Sequence, residues 1–336
     1  MEYRSLGAGG VAGPDNPPTT VSVVGLGTWA FGGDAWGPAD DRESEETIRA
    51  ALDAGVTLID TAPAYGDGRA EEVVGRAIAG RRHEVVIATK MGIQRRGPHH
   101  VVDLSPDAVR REIEDSLRRL NVDTIDLYQV HWPDKNTPIE ETVEALARVH
   151  EAGRFRFLGV ANFKPALMER VRAVFPLTCL QLHYSLLNRT PESHTLPYCA
   201  KHGLGALGYG SLAAGILTGK YRELPRFAPG DARDEFYRFF REPVWSAAGG
   251  LLETLRAIAR ERERPVSQVA INWSRRPPMA DSSVAALARG GVTCALVGAR
   301  TAAQARENAA AGEWKLSSEE LSRIERAWRE QIAPRA

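Results

Sequence analysis

An α/β barrel of the (β/α)8 type is the fold class this sequence predicts, on three observations. Eight short apolar runs recur along its 336 residues, each separated from the next by an amphipathic helical pattern. The alternation is regular from end to end, which describes a parallel sheet that closes on itself. The open, doubly wound alternative needs a nucleotide-binding glycine turn after its first strand, and Gly25-Leu-Gly-Thr-Trp-Ala30 lacks the third glycine. The expectation is a single domain over residues 1–336: a TIM barrel with an N-terminal β-hairpin and additional C-terminal helices.

The elements follow in order. Tyr3-Arg-Ser-Leu6 and Val21-Ser-Val-Val24 flank the Gly- and Pro-rich piece Gly7 to Pro14, which reads as a hairpin with a long turn. A phosphate-binding loop is disfavoured there, because no helix start follows the glycines. Residues 21–27 are the first strand of the repeat. Asp41 is placed as the cap of a helix burying Ile48, Ala51 and Leu52, stopped by Gly55. Strand 57–61 precedes a helix with Val73, Val74, Ala77 and Ile78 on one face. Strand 85–89 comes next. Ser105-Pro106 opens a helix that buries Val109, Ile113, Leu117 and Leu120.

After strand 125–130, Thr137-Pro-Ile-Glu140 reads as a capping box for a helix carrying Ile139, Val143, Leu146 and Val149, closed by Gly153. The remaining strands are placed at 157–162, 180–183, 205–209 and 293–297, with helices at 165–174, 191–202 and 251–275. Two further helices are capped by Thr301 with Gln304 and by Ser317 with Glu320. Two stretches break the rhythm. Residues 221–245, rich in charge and aromatics, read as a lid or binding loop, with a surface insertion as the alternative. Residues 277–291 are an extra segment with no assigned role.

Composition narrows the function. Formal net charge is zero and no long like-charge run occurs, so neither nucleic acid nor a membrane surface is an expected partner. No stretch approaches about 18 uninterrupted apolar residues, which excludes a transmembrane helix, and the first residues do not read as a signal peptide. Cys179, Cys199 and Cys294 have no CxxC spacing, so reduced, buried thiols in a cytoplasmic protein are expected, with no zinc site.

The chemistry centres on residues 56–65. Asp60 ends the apolar run Thr57-Leu58-Ile59, and Ala62-Pro63-Ala64 turns the chain so that Tyr65 can return towards the same point. Lys90 follows the third strand and His131 the fourth. Asp, Tyr, Lys and His at the ends of successive strands make a proton-donating cluster, because a cation beside a phenol favours its ionised form. Asn162, Gln181 and Tyr209 fall at later strand ends, where barrel active sites gather. Singly each has a bland reading: Asp60 a helix cap, His131 a core residue, Gln181 a barrel filler.

Gly25-Leu-Gly-Thr-Trp29, Asp60-Thr-Ala-x-x-Tyr65, Ala88-Thr-Lys90, Asp126-Leu-Tyr-Gln-Val-His131, Gly159-Val-Ala-Asn162, Gln181-x-x-Tyr184 and Gly298-Ala-Arg300 together resemble the aldo-keto reductase superfamily. Within it the chain is similar to bacterial members related to the potassium-channel β-subunit branch. The resemblance implies a barrel that binds NADP(H) and a small carbonyl substrate. It implies Tyr65 as general acid with its pKa lowered by Lys90, Asp60 paired to Lys90, and His131 orienting the carbonyl or assisting proton transfer. It assigns Gly27, Thr28, Trp29, Asp60, Asn162, Gln181, Tyr209, Gly210, Ser211, Leu212, Ala213, Gly215, Lys220, Gly298, Arg300, Gln304, Glu307 and Asn308 to the cofactor. Trp29, Tyr65, His131 and Trp132 fall to the substrate.

Three departures stand out from the family's usual pattern: Ala161 where a serine is frequent, Gly210-Ser211 where relatives carry Ser-Pro, and Gly298-Ala299 where many carry a lysine and a serine. The last shifts the 2′-phosphate contact to Arg300 and Gln304. The expected function is NADPH-dependent reduction of aldehydes or ketones. Its alternatives are an NAD(P)-dependent sugar or polyol dehydrogenase on the same barrel and an NADP(H)-binding redox sensor with negligible turnover.

Overall fold

The computed structural model describes residues 1–7, 19–96, 99–276 and 291–335. Most of the glycine-rich hairpin turn, and residues 277–290 of the extra segment, lie outside the described residues. Strands β1 (Tyr3–Ser5) and β2 (Thr20–Ser22) form the antiparallel hairpin. The chain bends at Val23, so the first barrel strand is the shorter β3 (Val24–Gly27) rather than all of 21–27.

The other barrel strands are β4 (Leu58–Asp60), β5 (Val86–Met91), β8 (Ile125–Val130), β9 (Phe155–Ala161), β10 (Cys179–His183), β11 (Gly205–Tyr209) and β12 (Cys294–Gly298). Neighbours pair in parallel and β12 closes onto β3, giving the closed eight-stranded barrel that the alternation predicts. Helices α1 (Asp41–Asp53), α2 (Arg69–Ala77), α3 (Pro106–Leu120), α4 (Ile139–Glu151), α5 (Pro165–Val174) and α6 (Thr195–Lys201) link successive strands. A short turn, α7 (Ala232–Glu235), and helices α8 (Val244–Glu261) and α9 (Val266–Ser274) come before β12; α10 (Ala302–Ala310) and α11 (Ser318–Gln331) end the chain.

Packing follows the strand parity. Leu58, Ala88, Leu127, Phe157, Cys179, Leu207, Cys294 and Leu296 form one cluster inside the barrel, with Leu6 and Val21 of the hairpin joining it. The hairpin approaches the sheet so closely that a Cβ on Gly205 would meet the Leu6 carbonyl oxygen. The larger cluster lies between the sheet and the helices and contains the predicted faces of α1 to α4. The three cysteines are buried free thiols.

Several local expectations are corrected. Asp40, not Asp41, caps α1, its Oδ1 accepting from the Glu43 N–H at 2.8 Å; Asp41 instead pairs with Arg69 and Arg76. Thr137 does not cap α4: the helix begins at Ile139 with Pro138 in the capping position, and the Thr137 hydroxyl donates to Asp134 Oδ2 at 2.8 Å. The helix expected over 251–275 is two: Glu263 is left-handed at φ 52°, and Pro265 has no N–H with which to continue a helix. An unexpected hairpin, β6 (Ile93–Arg96) with β7 (His99–Val102), follows β5. It is held from outside, by Gln94 on Glu112 and Arg95 on Asp67, rather than by apolar alternation. The caps at Ser105, Thr301 and Ser317 form as expected, the last as a full capping box.

The interior cluster makes a stability test. Leu127 is fully buried within it, so Leu127→Ala should lower unfolding free energy by about 2–5 kcal/mol in a urea titration. A loss well under 1 kcal/mol would mean the barrel interior is not packed as described.

Candidate active site

The site begins with parity. Along β4 and β5 the inward positions are Leu58 and Asp60, then Ala88 and Lys90, so each strand buries an apolar residue below and a charged one at its exit. Lys90 Nζ lies 2.8 Å from Asp60 Oδ2, 2.9 Å from the Thr61 carbonyl oxygen and 3.0 Å from the Tyr65 hydroxyl oxygen. Those contacts use all three ammonium donors. The other carboxylate oxygen, Asp60 Oδ1, accepts from Gln181 Nε2 at 2.7 Å and from Gln129 Nε2 at 3.5 Å. Thr28 donates to the Asp60 carbonyl through both its N–H and its hydroxyl, each at 2.9 Å. Asp60 therefore caps no helix; α2 starts at Arg69 after a left-handed Gly68.

His131 meets the Tyr65 ring edge-on at 6.1 Å, and Trp29 stacks on Tyr65 at 6.0 Å. The His131 carbonyl accepts from Asn162 Nδ2 at 3.2 Å, and Asn162 Oδ1 accepts from the Tyr209 hydroxyl at 3.0 Å. Asn162 holds a left-handed φ of 64°, a conformation asparagine tolerates better than most residues. The four candidate catalytic residues and Asn162, Gln181 and Tyr209 thus form one connected group at the C-terminal mouth.

The electrostatics depart from expectation in one respect. Burial, then the Asp60 carboxylate, push the Tyr65 phenol well above its ordinary value, so the net direction is up, not down as the resemblance implies. Burial also pulls Lys90 below the ordinary lysine value, against the Asp60 charge and hydrogen bond, which raise it. Burial and the Lys90 charge push His131 well below the ordinary histidine range. A phenol that keeps its proton, beside a neutral imidazole, is a donor pair rather than an acid–base pair.

The residues assigned to a dinucleotide divide into groups. Gly27 and Gly298 are register partners at adjacent strand exits. A Cβ on either would find its nearest neighbour 3.9–4.0 Å away, which leaves an open slot between them. Past β11, Gly210, Ala213, Ala214 and Gly215 all have positive φ, with Ser211 and Leu212 between them. Backbone of that kind lets a ligand approach closely and suits an anion. Thr61 Oγ1 and Gln129 Oε1 are buried at the mouth without partners among the described residues. These features fit a ribose–phosphate ligand.

Other assignments are less direct. Lys220 is exposed, its ammonium 4.8 Å over the Tyr221 ring. Arg300 donates to the carbonyl oxygens of Trp36 and Pro38, and its N–H to Gln304 Oε1 at 2.8 Å. Glu307 accepts from Ser267, and Asn308 Nδ2 donates to the Gly298 carbonyl oxygen at 3.2 Å. Trp132 is exposed at the exit of β8.

The 221–245 segment, which follows β11, reaches the loop after β3, two strands further round the barrel. The Ala232 N–H donates to the Ala35 carbonyl oxygen at 2.7 Å, Phe236 meets Trp29 edge-on at 5.8 Å, and Tyr237 lies 6.1 Å from Trp36. Sequence reasoning missed Gln129 and Trp36, and it placed Phe236 and Tyr237 only as part of the 221–245 loop. Gln129 carried a local signal, a polar residue inside an apolar strand.

The comparisons agree with this geometry. The sequence profile described as "Aldo/keto reductase family" matches residues 23–329. The aldo-keto reductase YhdN of Bacillus subtilis (strain 168) is 40% identical over 327 residues, 96% of this chain and 92% of that protein. An NADH-specific methylglyoxal reductase of Escherichia coli (strain K12) is 35% identical over 308 residues, 87% of this chain and 90% of its own length. The solved glycerol dehydrogenase of Gluconobacter oxydans superimposes with a TM-score of 0.83 at 39% identity, covering 94% of this chain and 93% of that one. With a closed barrel carrying this site and a family match over nearly its whole length, the chain belongs to the aldo/keto reductase family of oxidoreductases.

Proposed function

We propose that this protein reduces a small aldehyde or ketone to the alcohol with NADPH, Tyr65 giving the proton. The observation that carries this reading is the continuous contact from Asp60 through Lys90 to the Tyr65 hydroxyl, ending at the mouth of the barrel. The dinucleotide, when bound, supplies the hydride. Negative charge then develops on the substrate oxygen, and a positioned phenol neutralises it as it forms.

The chain's own residues divide the task. Lys90 holds the Tyr65 oxygen and, as a cation, stabilises the phenolate left after proton transfer. Asp60 keeps Lys90 charged in a buried place. Neutral His131, edge-on to Tyr65, donates or accepts one hydrogen bond and orients the carbonyl. Asn162 and Gln181 hold the carboxamide end of the cofactor, and Tyr209 supports its ring. Trp29, Trp36 and Phe236 make an aromatic wall beside Tyr65. The three buried free thiols support a cytoplasmic setting.

A second reading has one observation in its favour. The solved neighbour at TM-score 0.83 is a glycerol dehydrogenase, and a site of this kind run oxidatively would pass a polyol's hydride to the oxidised dinucleotide and its hydroxyl proton to the Tyr65 phenolate.

Tyr65→Phe keeps the ring and removes the donor, so dinucleotide affinity should survive while reduction of an aldehyde panel falls about 10²–10⁴-fold. Near-normal turnover by that variant would end the assignment. The pH profile gives a second test. Lys90 lies below its usual value and Tyr65 above, so Lys90 loses its proton first as pH rises. The Asp60 carboxylate raises both groups, so in Asp60→Asn the alkaline limb of the reduction profile should move to lower pH; a limb that stays put would uncouple Asp60 from the pair.

Cofactor choice is tested at Arg300, which stands at the N-terminus of α10, where free backbone N–H groups also favour an anion. To bind a 2′-phosphate its guanidinium must exchange the carbonyls of Trp36 and Pro38 for phosphate oxygens. Charge-assisted bonds contribute about 1.5–3 kcal/mol each, so Arg300→Ala should weaken NADPH about tenfold or more and leave NADH nearly unchanged. Wild-type protein that binds NADH as tightly as NADPH would turn the reading to NADH, the cofactor in the name of the Escherichia coli relative.

A further inference from the structure

One buried polar group at the mouth belongs to none of the roles above. His183, the last residue of β10, stacks flat on Tyr209, with centroids 5.2 Å apart and planes within 12°. Tyr237 meets its ring edge-on at 5.6 Å, and Phe239 lies tilted at 5.6 Å. Three aromatic neighbours describe a place suited to a phenyl ring. Yet the residue is an imidazole, and its Nε2 is buried with no hydrogen-bond partner among the described residues. An orphaned polar atom in such a box lowers stability unless something supplies its partner. Burial pulls this histidine down to about 4, so near neutral pH the ring is uncharged, with one N–H and one lone pair.

The orphan's surroundings identify the partner's chemistry. A Cβ built on Gly210 would lie 2.7 Å from His183 Cδ2 and 2.8 Å from Nε2. The imidazole therefore fills the space that a side chain at position 210 would need. Gly210 opens the left-handed turn that runs through Ala213, Ala214 and Gly215. The ring thus arrives from β10 and brings a hydrogen-bonding atom to the place that a side chain at 210 would occupy.

We propose that His183 is a further dinucleotide-binding residue, its Nε2 hydrogen-bonding a ribose or phosphate oxygen of the nicotinamide half where that half passes Gly210. This rests on the reading of the mouth as a nicotinamide-dinucleotide site, and the experiment separates the two.

Wild type and His183→Phe are titrated calorimetrically with whichever of NADP+ and NAD+ the wild type binds more tightly, and with its adenosine fragment, 2′,5′-ADP or 5′-AMP. The phenylalanine keeps the stack and loses the nitrogen. It should bind the dinucleotide roughly tenfold more weakly and the fragment with unchanged affinity, while the unliganded variant melts at the same or a higher temperature. In wild type, the His183 Nε2 resonance of 15N-labelled protein should move on adding the dinucleotide and stay still with the fragment. Equal dinucleotide affinity in the two proteins, equal losses for dinucleotide and fragment, or an unmoved Nε2 resonance would overturn the proposal. Should the variant fail to fold, the 15N measurement on wild type decides alone. A wild type that binds no dinucleotide would instead fault the cofactor reading.

Discussion

The buried ion pair of Asp60 and Lys90 is the constraint on which the rest of the site depends. Lys90 is fully buried and Asp60 nearly so, and two charges taken out of water are tolerated only when their remaining hydrogen-bonding capacity is met. Here it is met from four directions. Lys90 needs the Thr61 carbonyl and the Tyr65 hydroxyl besides Asp60, which obliges the loop after β4 to fold back over the barrel. Asp60 needs Gln181 and Gln129, which brings β10 and β8 into the same group. A one-residue slip of β5 against β4 would turn Lys90 towards the helices and leave Asp60 alone.

This explains the layering inside the sheet. Inward positions run from apolar to polar along five of the eight barrel strands: Leu58 to Asp60, Ala88 to Lys90, Leu127 to Gln129, Cys179 to Gln181, Leu207 to Tyr209. The hairpin at the other end adds Leu6 and Val21 to the apolar layer. One end is thereby a packed plug and the other a polar floor. Around that floor the unusual backbone gathers, with Asn162 and the Gly210–Gly215 turn in left-handed conformations. Non-glycine residues such as Ala213 and Ala214 hold such angles only where surrounding structure compels them, and those places tend to be binding sites. Aromatic residues from 29–36 and 236–239 then wall the opening, joined by the single backbone bond from Ala232 to Ala35.

How far the chain was legible depended on how local each cause was. The caps at Ser105, Thr301 and Ser317 need only their own neighbours, and each formed where the pattern placed it. Thr137 carried the same signal and failed, because α4 begins one residue later, with Pro138 in the capping position. Asp41 was passed over as a cap in favour of Asp40 because two arginines of α2 claim its carboxylate. The β6–β7 hairpin had no alternating pattern to announce it, since its contacts run to Glu112 and Asp67 in other elements. His183 read as one more residue of an apolar strand until Tyr209, Tyr237 and Phe239 surrounded it.

By itself the sequence determined the fold class and which strand ends carry chemistry, because hydrophobic period and residue type at a strand's exit are local properties. It determined that an acid, a lysine, a phenol and an imidazole stand at one mouth once eight strands close. Only the tertiary structure decided what those groups do to one another. Proximity to Lys90 argued for a phenol pushed down; burial and Asp60 push it up, because the cost of desolvating a charge depends on everything packed around it and not on any one neighbour. The reach of the 221–245 segment to Trp29 and Trp36, and the placing of His183 in the space above Gly210, were likewise decided there. Each joins parts of the chain far apart in sequence, and no local pattern encodes such a meeting.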